Sequence, residues 1–436
     1  MQRVLFIIIF LSLSFTQVTV FAQDDEYVSD YEPTIIYEDF IYKPTIKSAL
    51  LHQDGLLISQ PIVSLSGMDV LRLSFDDITD EIGDYYYTII HCNADWTPTE
   101  NLTEMEYIDG FSNERLRDYE FSYNTLTNYV HYELTLPNDD FSWTKSGNYL
   151  LVIYEDEDME NLVLTKRFMV VDSKMSISSK LEQPLGFSMA RKAQEIDFTV
   201  NHKGIRVSNP QIEIKVVLLQ NGRWDNAITG LKPLFVRNEE LLYDYQNKIV
   251  FKGGKEYRHL NLQTTRYRTD KMKRILEDVT DGNIIQLVDE FPRLSVPYLF
   301  ENDLNGKYII NNEHEDEPET EADYVWTHFY LKKPLEIDGG DVYLFGGMTE
   351  FQIDPLYKME YDIVNKRYHA RVFLKQGFYN YQFAFVSDAE PDIVNLSEIE
   401  GDWYETENDY YILVYYKPFG SRYDQLVGLR QVNTRE

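Results

Sequence analysis

Residues 146–172, SGNYLLVIYEDEDMENLVLTKRFMVVD, carry the pattern that decides the fold of this chain. Two runs of apolar, β-branched and aromatic residues flank an acidic segment at residues 155–161, which is typical of two strands joined by a turn. The preceding segment, YVHYELTLPN, alternates strictly between apolar and polar residues. One face carries Val130, Tyr132, Leu134 and Leu136, and the other carries His131, Glu133 and Thr135. Turn signals at residues 137–138 and 146–147 complete a β-sandwich spacing.

The same pattern recurs along the rest of the chain. The segments EIDFTVNHKG and PQIEIKVVLLQNGRWDN predict consecutive strands, with Ile212, Ile214, Val216 and Leu218 on one apolar face. Further on, DVYLFGGMTEF, YKMEYDIVNKRYHARVFLKQGFYNYQFAF and NDYYILVYYKPFG predict hairpins, with a turn at Gln376 and Gly377. The pattern indicates at most one short helix, from Asp270 to Asp278.

The predicted fold class is therefore all-β, with tandem immunoglobulin-like and early-set β-sandwich domains. A chain of 436 residues is too long for one core, and its 34 Tyr and 24 Phe favour strands. We predict an N-terminal β-sandwich over residues 23–173, a middle β-sandwich over residues 174–326 and a C-terminal early-set-like β-sandwich over residues 327–436.

The first 22 residues predict a secretory signal peptide. Arg3 supplies the positive end, residues 4–15 form the apolar region, and the small residues before Gln23 predict cleavage after Ala22. The alternative, a short membrane anchor, requires a longer apolar run than is present. Because no later segment is apolar enough to span a membrane, we expect the mature protein to be soluble in an extracytoplasmic space, with no direct membrane span.

Charge and cysteine content limit the classes of function. The net charge of -32 argues against partners such as nucleic acid and anionic lipid surfaces. The single cysteine, Cys92, excludes an internal disulfide, so stability must come from burial.

Cys92 is also the first candidate for catalysis, because His91 precedes it in YYYTIIHCNADWTPTE, residues 85–100. Adjacent strand residues point to opposite faces, so His91 and Cys92 cannot form a thiolate–imidazole pair. We therefore predict a buried, structural Cys92, and we expect Trp96, in the following turn, to close the end of the sandwich.

Other motifs indicate no enzyme. The sequence contains no Gly-x-Ser-x-Gly, His-Glu-x-x-His or Walker motif, and FKGGKEYR is more typical of a hairpin than of a phosphate site. A hydrolase with paired carboxylates stays possible among 73 Asp and Glu residues. The acidic segment NNEHEDEPETEADY, residues 311–324, is either a solvated loop or a calcium site. A basic stretch is either a salt-bridged face or a contact for an acidic partner; it contains Lys252, Arg258, Arg266, Arg268, Lys271, Lys273 and Arg274. We expect no catalytic residues, no cofactor and no metal.

The C-terminal segments DVYLFGGMTEF and MEYDIVNKRYHARVFLKQGFYNYQFAF resemble an early-set, glycogen-binding type of module. Such modules stack sugars on an exposed tryptophan, but the matching positions here, residues 347–351, contain none, and Trp403 stands elsewhere. A periplasmic carbohydrate-binding β-sandwich protein is therefore the alternative function.

Six segments, in order, resemble the family of type IX secretion system plug proteins: HCNADWTPTE, EYIDGF, GNYLLVIYEDED, FKGGKEYRHL, EADYVWTHFYL and YYKPFGSRYDQLVGL. The resemblance covers about residues 27–432. It implies a non-enzymatic periplasmic plug that seals the periplasmic opening of a large outer-membrane β-barrel translocon when no cargo is bound. The implied partner is that barrel, and the implied location is the inner side of an outer-membrane complex. The C-terminal end VGLRQVNTRE lacks the features of a sorting tail, which argues against secreted cargo.

Overall fold

The structure is a computed structural model that describes residues 34–79, 81–186, 189–278 and 282–435. The predicted signal peptide, residues 1–22, lies outside the described residues. Strands dominate the described residues, and they form several stacked sheets, which confirms the predicted all-β class with tandem β-sandwiches.

The first half of the chain supplies the following elements: β1 (Phe40–Ile41), β2 (Ile46–Gln53), β3 (Ile62–Ser64), β4 (Leu71–Asp77), β5 (Tyr85–Cys92), α1 (Glu104–Tyr107), β6 (Ile108–Gly110), β7 (Glu114–Arg115), β8 (Asp118–Phe121), β9 (Val130–Leu136), β10 (Phe141–Trp143), β11 (Gly147–Glu155), β12 (Asp158–Val171), β13 (Ser176–Glu182), β14 (Ala193–Asn201), α2 (Pro210–Glu213) and β15 (Ile214–Gln220). The remaining elements are β16 (Arg223–Ile228), β17 (Phe235–Arg237), β18 (Glu240–Tyr243), β19 (Val250–Lys252), β20 (Arg258–Asn261), β21 (Met272–Asp278), β22 (Gly282–Leu287), β23 (Tyr308–Ile310), α3 (Pro318–Glu321), β24 (Tyr324–Lys332), β25 (Gly340–Phe345), β26 (Lys358–Asp362), β27 (Arg367–Lys375), β28 (Gly377–Ser387), β29 (Glu390–Asn395), β30 (Asp409–Tyr416) and β31 (Gln425–Asn433), with 3-10 turns at Gly347–Thr349 and Pro355–Tyr357.

Four sheets lie face to face in a single stack, one behind the other. We number them sheet 1 (order β2-β4-β9-β8), sheet 2 (β1-β12-β11-β5-β7, with β3 parallel to β12), sheet 3 (β16-β15-β30-β31) and sheet 4 (β13-β14-β18-β17, with β19 on β14). Sheets 1 and 2 form the first sandwich, and sheets 3 and 4 form the second. A short pair, β6 and β10, lies beside the first sandwich.

Successive side chains of β11 show how this stack is held together. Tyr149 and Leu151 enter the core between sheets 1 and 2, while Leu150 and Val152 enter a second core that includes Leu413 of sheet 3. A third core fills the space between sheets 3 and 4. Sheets 2 and 3 are therefore buried on both faces, which explains the uninterrupted apolar runs in β11, β15 and β30.

The third sandwich is built from one continuous path of strands, β20-β28-β25-β26-β27-β24-β22-β21, with β23 and β29 also paired to β28. Its core contains Leu260, Val325, Leu344 and Phe383, all of which are fully buried. It packs beside the stack and contacts sheet 1 through β24 and β27.

Strand pairing crosses the boundary that the sequence predicts between residues 326 and 327. β15 pairs with β30 over its whole length, and β20 pairs with β28. The second sandwich therefore includes the C-terminal strands, and the third begins at β20. Turn signals mark where strands end but carry no information about which distant strand becomes the partner, so the predicted units do not delimit the sheets. The division into three domains itself stays a prediction.

Several local predictions differ from the structure. The segment from Asp270 to Asp278 contains strand β21 (Met272–Asp278) rather than a helix, because pairing with β22 outweighs its local pattern. Ile212 lies in α2 and is exposed, whereas Ile214, Val216 and Leu218 are buried as predicted. Gln376 and Gly377 connect β27 to β28, but these strands are not paired, because β25 and β26 lie between them in the sheet.

FKGGKEYR is not a hairpin. It links β19 of sheet 4 to β20 of the third sandwich, and the carbonyl of Trp403 packs against the turn. A Cβ atom on Gly253 would lie 2.0 Å from that carbonyl oxygen, and Gly254 has φ of 65°. Both positions therefore require glycine.

Candidate functional site

His91 and Cys92 are neighbours in strand β5, and their side chains lie on opposite faces of the sheet, as predicted. Cys92 is fully buried in the core between sheets 2 and 3, and burial raises the pKa of its thiol to about 12. His91 donates from Nε2 to the Ser146 carbonyl (3.3 Å) and accepts at Nδ1 from the Thr99 hydroxyl (2.9 Å). Burial lowers the pKa of this imidazole to about 4. Neither group has the access or the protonation state of a catalytic pair.

Trp96 does not close the end of the first sandwich. It is buried in the core shared by sheets 2 and 3, where its ring centroid lies 5.1 Å from that of Trp224 on β16. The turn after β5 thus connects two sandwiches.

The residues that match the sugar platform of early-set modules are used for packing. Gly347–Thr349 forms a 3-10 turn with Met348 and Thr349 buried, and Glu350 pairs with Lys166 of β12 (2.7 Å). Trp403 is half-buried, and Lys255 and Tyr298 lie against its ring. Neither position presents an open aromatic face.

Two arginines of the basic stretch form salt bridges, one of them with the acidic segment. Glu315 pairs with Arg266 (2.9 Å), and Arg258 is buried between Glu290 and Glu400. These contacts follow the salt-bridged alternative for the basic stretch.

Glu319 of the acidic segment meets His131 and Glu133 of β9, with one ligand atom of each within 4.8 Å of the others. Arg72 Nη2 donates to carboxylate oxygens of both Glu133 and Glu319. The two carboxylates that could bind a calcium ion are therefore already paired with a guanidinium.

A buried polar network joins the first sandwich to the third. The carboxylate of Asp76, on β4, accepts hydrogen bonds from Lys375 Nζ of β27 (2.5 Å), the Tyr324 hydroxyl of β24 (2.6 Å) and His131 Nδ1 (2.6 Å). Burial alone would raise the pKa of Asp76, but Lys375 and His131 outweigh it and hold this pKa below its ordinary value. Nearby, the Tyr129 hydroxyl donates to the Ala322 carbonyl (2.8 Å).

A second network joins the first sandwich to the second. Asp424, before β31, accepts from the Ala94 amide (3.1 Å) and from Lys215 Nζ of β15 (2.8 Å), while the Tyr415 hydroxyl donates to Asn148 (2.7 Å). With Lys166 and Glu350, these contacts brace the three sandwiches against one another.

A cleft of about 810 Å³ opens where the three sandwiches meet. The first sandwich contributes Trp96 and Arg167, the second contributes Trp224, and the third contributes Glu350 and Asp392. The Arg167 guanidinium lies 4.4 Å from the ring centroid of Trp96 and 5.3 Å from that of Trp224, and its Nε donates to the Tyr37 carbonyl. Burial lowers the pKa of Arg167, against the opposing effect of the nearby carboxylates.

The cleft continues into a second cavity of about 400 Å³. Both are lined by Arg223, Asp225, Asp392 and Val394. Arg223 donates from Nε to Asp225 (2.9 Å), and this carboxylate raises the pKa of Arg223 although burial opposes it. The second cavity adds a set of side-chain amides from Gln220, Asn221, Asn226, Gln382 and Asn408.

The sequence did not reveal this cleft, because its lining comes from segments between residues 38 and 408 that only the sheet pairing brings together. Trp96 and Trp224 are evident in the sequence, but no local pattern indicates that the two tryptophans are in contact.

Two matches relate this chain to known proteins. A family model described as the type 9 secretion system plug protein 1st domain matches residues 46–172, which is most of the first sandwich. A crystal structure of a hypothetical protein from Parabacteroides merdae is 32% identical, with a TM-score of 0.88, and the match covers 92% of this chain and 100% of that chain. No match was found among curated proteins. Within the described residues, no helix has the length and apolar character needed to cross a membrane.

Proposed function

Because the chain belongs to the type 9 secretion system plug protein family, we propose that it is the periplasmic plug of that system: a protein without enzymatic activity that closes the periplasmic opening of the large outer-membrane translocon barrel when no cargo occupies it. The match of the first sandwich to the plug family is the observation that carries this proposal. Plugging places the protein in the periplasm, against the inner side of the outer-membrane complex.

The architecture is suited to closing a wide opening. A wide barrel leaves an aqueous lumen, so the protein that closes it must resist deformation over an opening. Here the three sandwiches are joined by buried contacts such as Asp76 with Lys375 and Asp424 with Lys215. The candidate nucleophile Cys92 is buried and protonated, which favours a role without catalysis.

Reversible seating also suits the surface. A net charge of -32 favours a polar, charged contact, which forms and dissociates more readily than a large apolar interface.

Co-purification tests the proposal. The translocon barrel is extracted from membranes through an affinity tag, once from cells that export cargo and once from cells in which cargo is absent. We expect this chain to be recovered with cargo-free barrels and to be depleted from cargo-loaded ones. Its absence from both preparations, or equal recovery in both, would overturn the proposal.

A further inference from the structure

Two edge strands line the cleft between the sandwiches. β16 is the outermost strand of sheet 3, and β29 pairs only with β28 among the described strands. Arg223 and Asp225 of β16 and Asp392 and Val394 of β29 line both cavities, so one continuous slot runs between the two strands.

An edge strand carries a row of N–H and C=O groups that can pair with another chain. Among the residues that the structure describes, no backbone hydrogen bond connects β16 or β29 to a segment on the slot side. Each strand is six residues long, which is enough to pair with an added strand of about the same length.

The charge of the slot selects its occupant. Seven carboxylates line the two cavities together, from Glu38, Asp39, Asp95, Asp225, Glu350, Asp392 and Asp402, against four cationic groups, from Arg167, Arg223, Lys252 and Lys255. The difference, 4 - 7, is a net charge of -3, or -2 when the pairing of Glu350 with Lys166 is included. Both guanidiniums are already engaged by this chain, whereas Glu38, Asp95 and Asp392 are exposed to solvent. A positively charged occupant is therefore favoured over a neutral or acidic one.

The slot also contains unpaired polar atoms. Trp96 is 5% exposed, and its indole Nε1–H has no hydrogen-bond partner among the described residues. The side-chain oxygen of Asn226, in the second cavity, likewise has no partner there. Atoms of this kind also occur away from the slot among the described residues, for example the Tyr243 and Thr327 hydroxyls, so the free strand edges and the charge carry the inference.

We propose that the slot between β16 and β29 binds an extended, net-basic polypeptide segment of a protein partner, which adds as a strand to β16. The inference rests on the proposed function, because it names the chemistry of a contact that a plug makes with its secretion machinery. Backbone pairing supplies affinity, and the carboxylates select for lysine and arginine side chains.

Peptide titration of the purified mature chain tests the inference without the barrel. Three eight-residue probes are compared at physiological salt: alternating Lys and Val, alternating Glu and Val, and the Lys–Val peptide with every backbone nitrogen methylated. We expect the Lys–Val peptide to bind at least tenfold more tightly than either of the others. Methylation keeps the charge and removes the N–H donors of both edges, so it separates strand pairing from attraction to an acidic protein.

Two variants locate the binding. Asp392→Lys reverses an exposed charge inside the slot, and we expect it to weaken Lys–Val binding about tenfold. Glu160→Lys makes the same change at an exposed position of β12 outside the slot, and we expect less than a twofold effect.

Equal binding of the methylated and unmethylated peptides, or an equal effect of the two variants, would overturn the inference. So would displacement of the peptide by maltohexaose, which would identify a glycan site. If the Lys–Val peptide does not bind but this chain still co-purifies with cargo-free barrels, this inference alone is refuted. If the peptide binds but this chain does not co-purify with the barrel, the proposed function alone is refuted.

Discussion

Asp76 lies at the centre of a buried polar contact between the first and third sandwiches. Its carboxylate and the Lys375 ammonium are each about 1% exposed, so neither charge is solvated by water. A buried ion pair adds little net stability while it is complete, but the removal of one partner leaves an uncompensated charge. The junction therefore requires both partners of the pair.

The first prediction is that Lys375→Met lowers the free energy of unfolding by about 3 kcal/mol. Lys358→Met is the matched control: Lys358 pairs with Asp341 at the surface (2.6 Å), and we expect a loss of less than about 1 kcal/mol. Urea unfolding followed by tryptophan fluorescence gives both values.

The double variant Asp76→Asn, Lys375→Met should recover part of the lost free energy of unfolding, because the unpaired carboxylate charge is gone. Equal losses for Lys375→Met and Lys358→Met would contradict the account.

Cys92 provides the second prediction. With a thiol pKa of about 12, native Cys92 should react with a disulfide reagent at pH 8 roughly a thousandfold more slowly than the same residue in urea. Glu160→Cys, at an exposed position of β12, should label at the rate of a free thiol. Rapid labelling of native Cys92 would refute its structural role.

At the scale of the element, alternation and turn signals predicted many of the longer strands, including β5, β9, β11 and β12. They failed at β21, where pairing with β22 decided the conformation. The sequence predicted one apolar face for β15, whereas the structure buries both faces of β15 and β30 under segments from elsewhere in the chain. Partner choice between strands far apart in sequence is a tertiary property, so the stacked order and the cleft could not be predicted from local pattern.

The hairpin between β11 and β12 supplies the third prediction. The two loop residues, Asp156 and Glu157, have φ of 59° and 57°, which is a type I′ turn. A left-handed backbone conformation is less favourable for residues with a Cβ atom than for glycine. Glu157→Gly should therefore raise the free energy of unfolding by about 0.5–1 kcal/mol. Glu160→Gly, within β12, should lower it by a similar amount. A destabilised Glu157→Gly variant would contradict this assignment of the turn.

At the scale of the whole molecule, the C-terminal strands hold the stack together. β30 and β31 supply one half of sheet 3, and their side chains enter both cores that flank it, for example Leu413 on one face and Ile412 on the other. The sandwiches therefore cannot be separated at a single point of the chain.

The fourth prediction follows from this arrangement. A chain that ends after residue 408 lacks β30 and β31, and we expect it to lose the cooperative urea transition and to be cleaved rapidly by protease. A chain that ends after residue 434 keeps both strands and should behave as the full mature chain does. An unchanged transition midpoint in the shorter chain would show that sheet 3 does not bind the sandwiches into one body.

The electrical conductance of the purified, cargo-free translocon barrel in a planar bilayer tests the central claim most directly. The protein without residues 1–22 is added to the periplasmic side, with the Lys375→Met variant as a comparison. The account predicts that the wild-type chain removes most of the conductance and that cargo restores it. Conductance that stays unchanged at saturating concentrations of the chain would contradict the account.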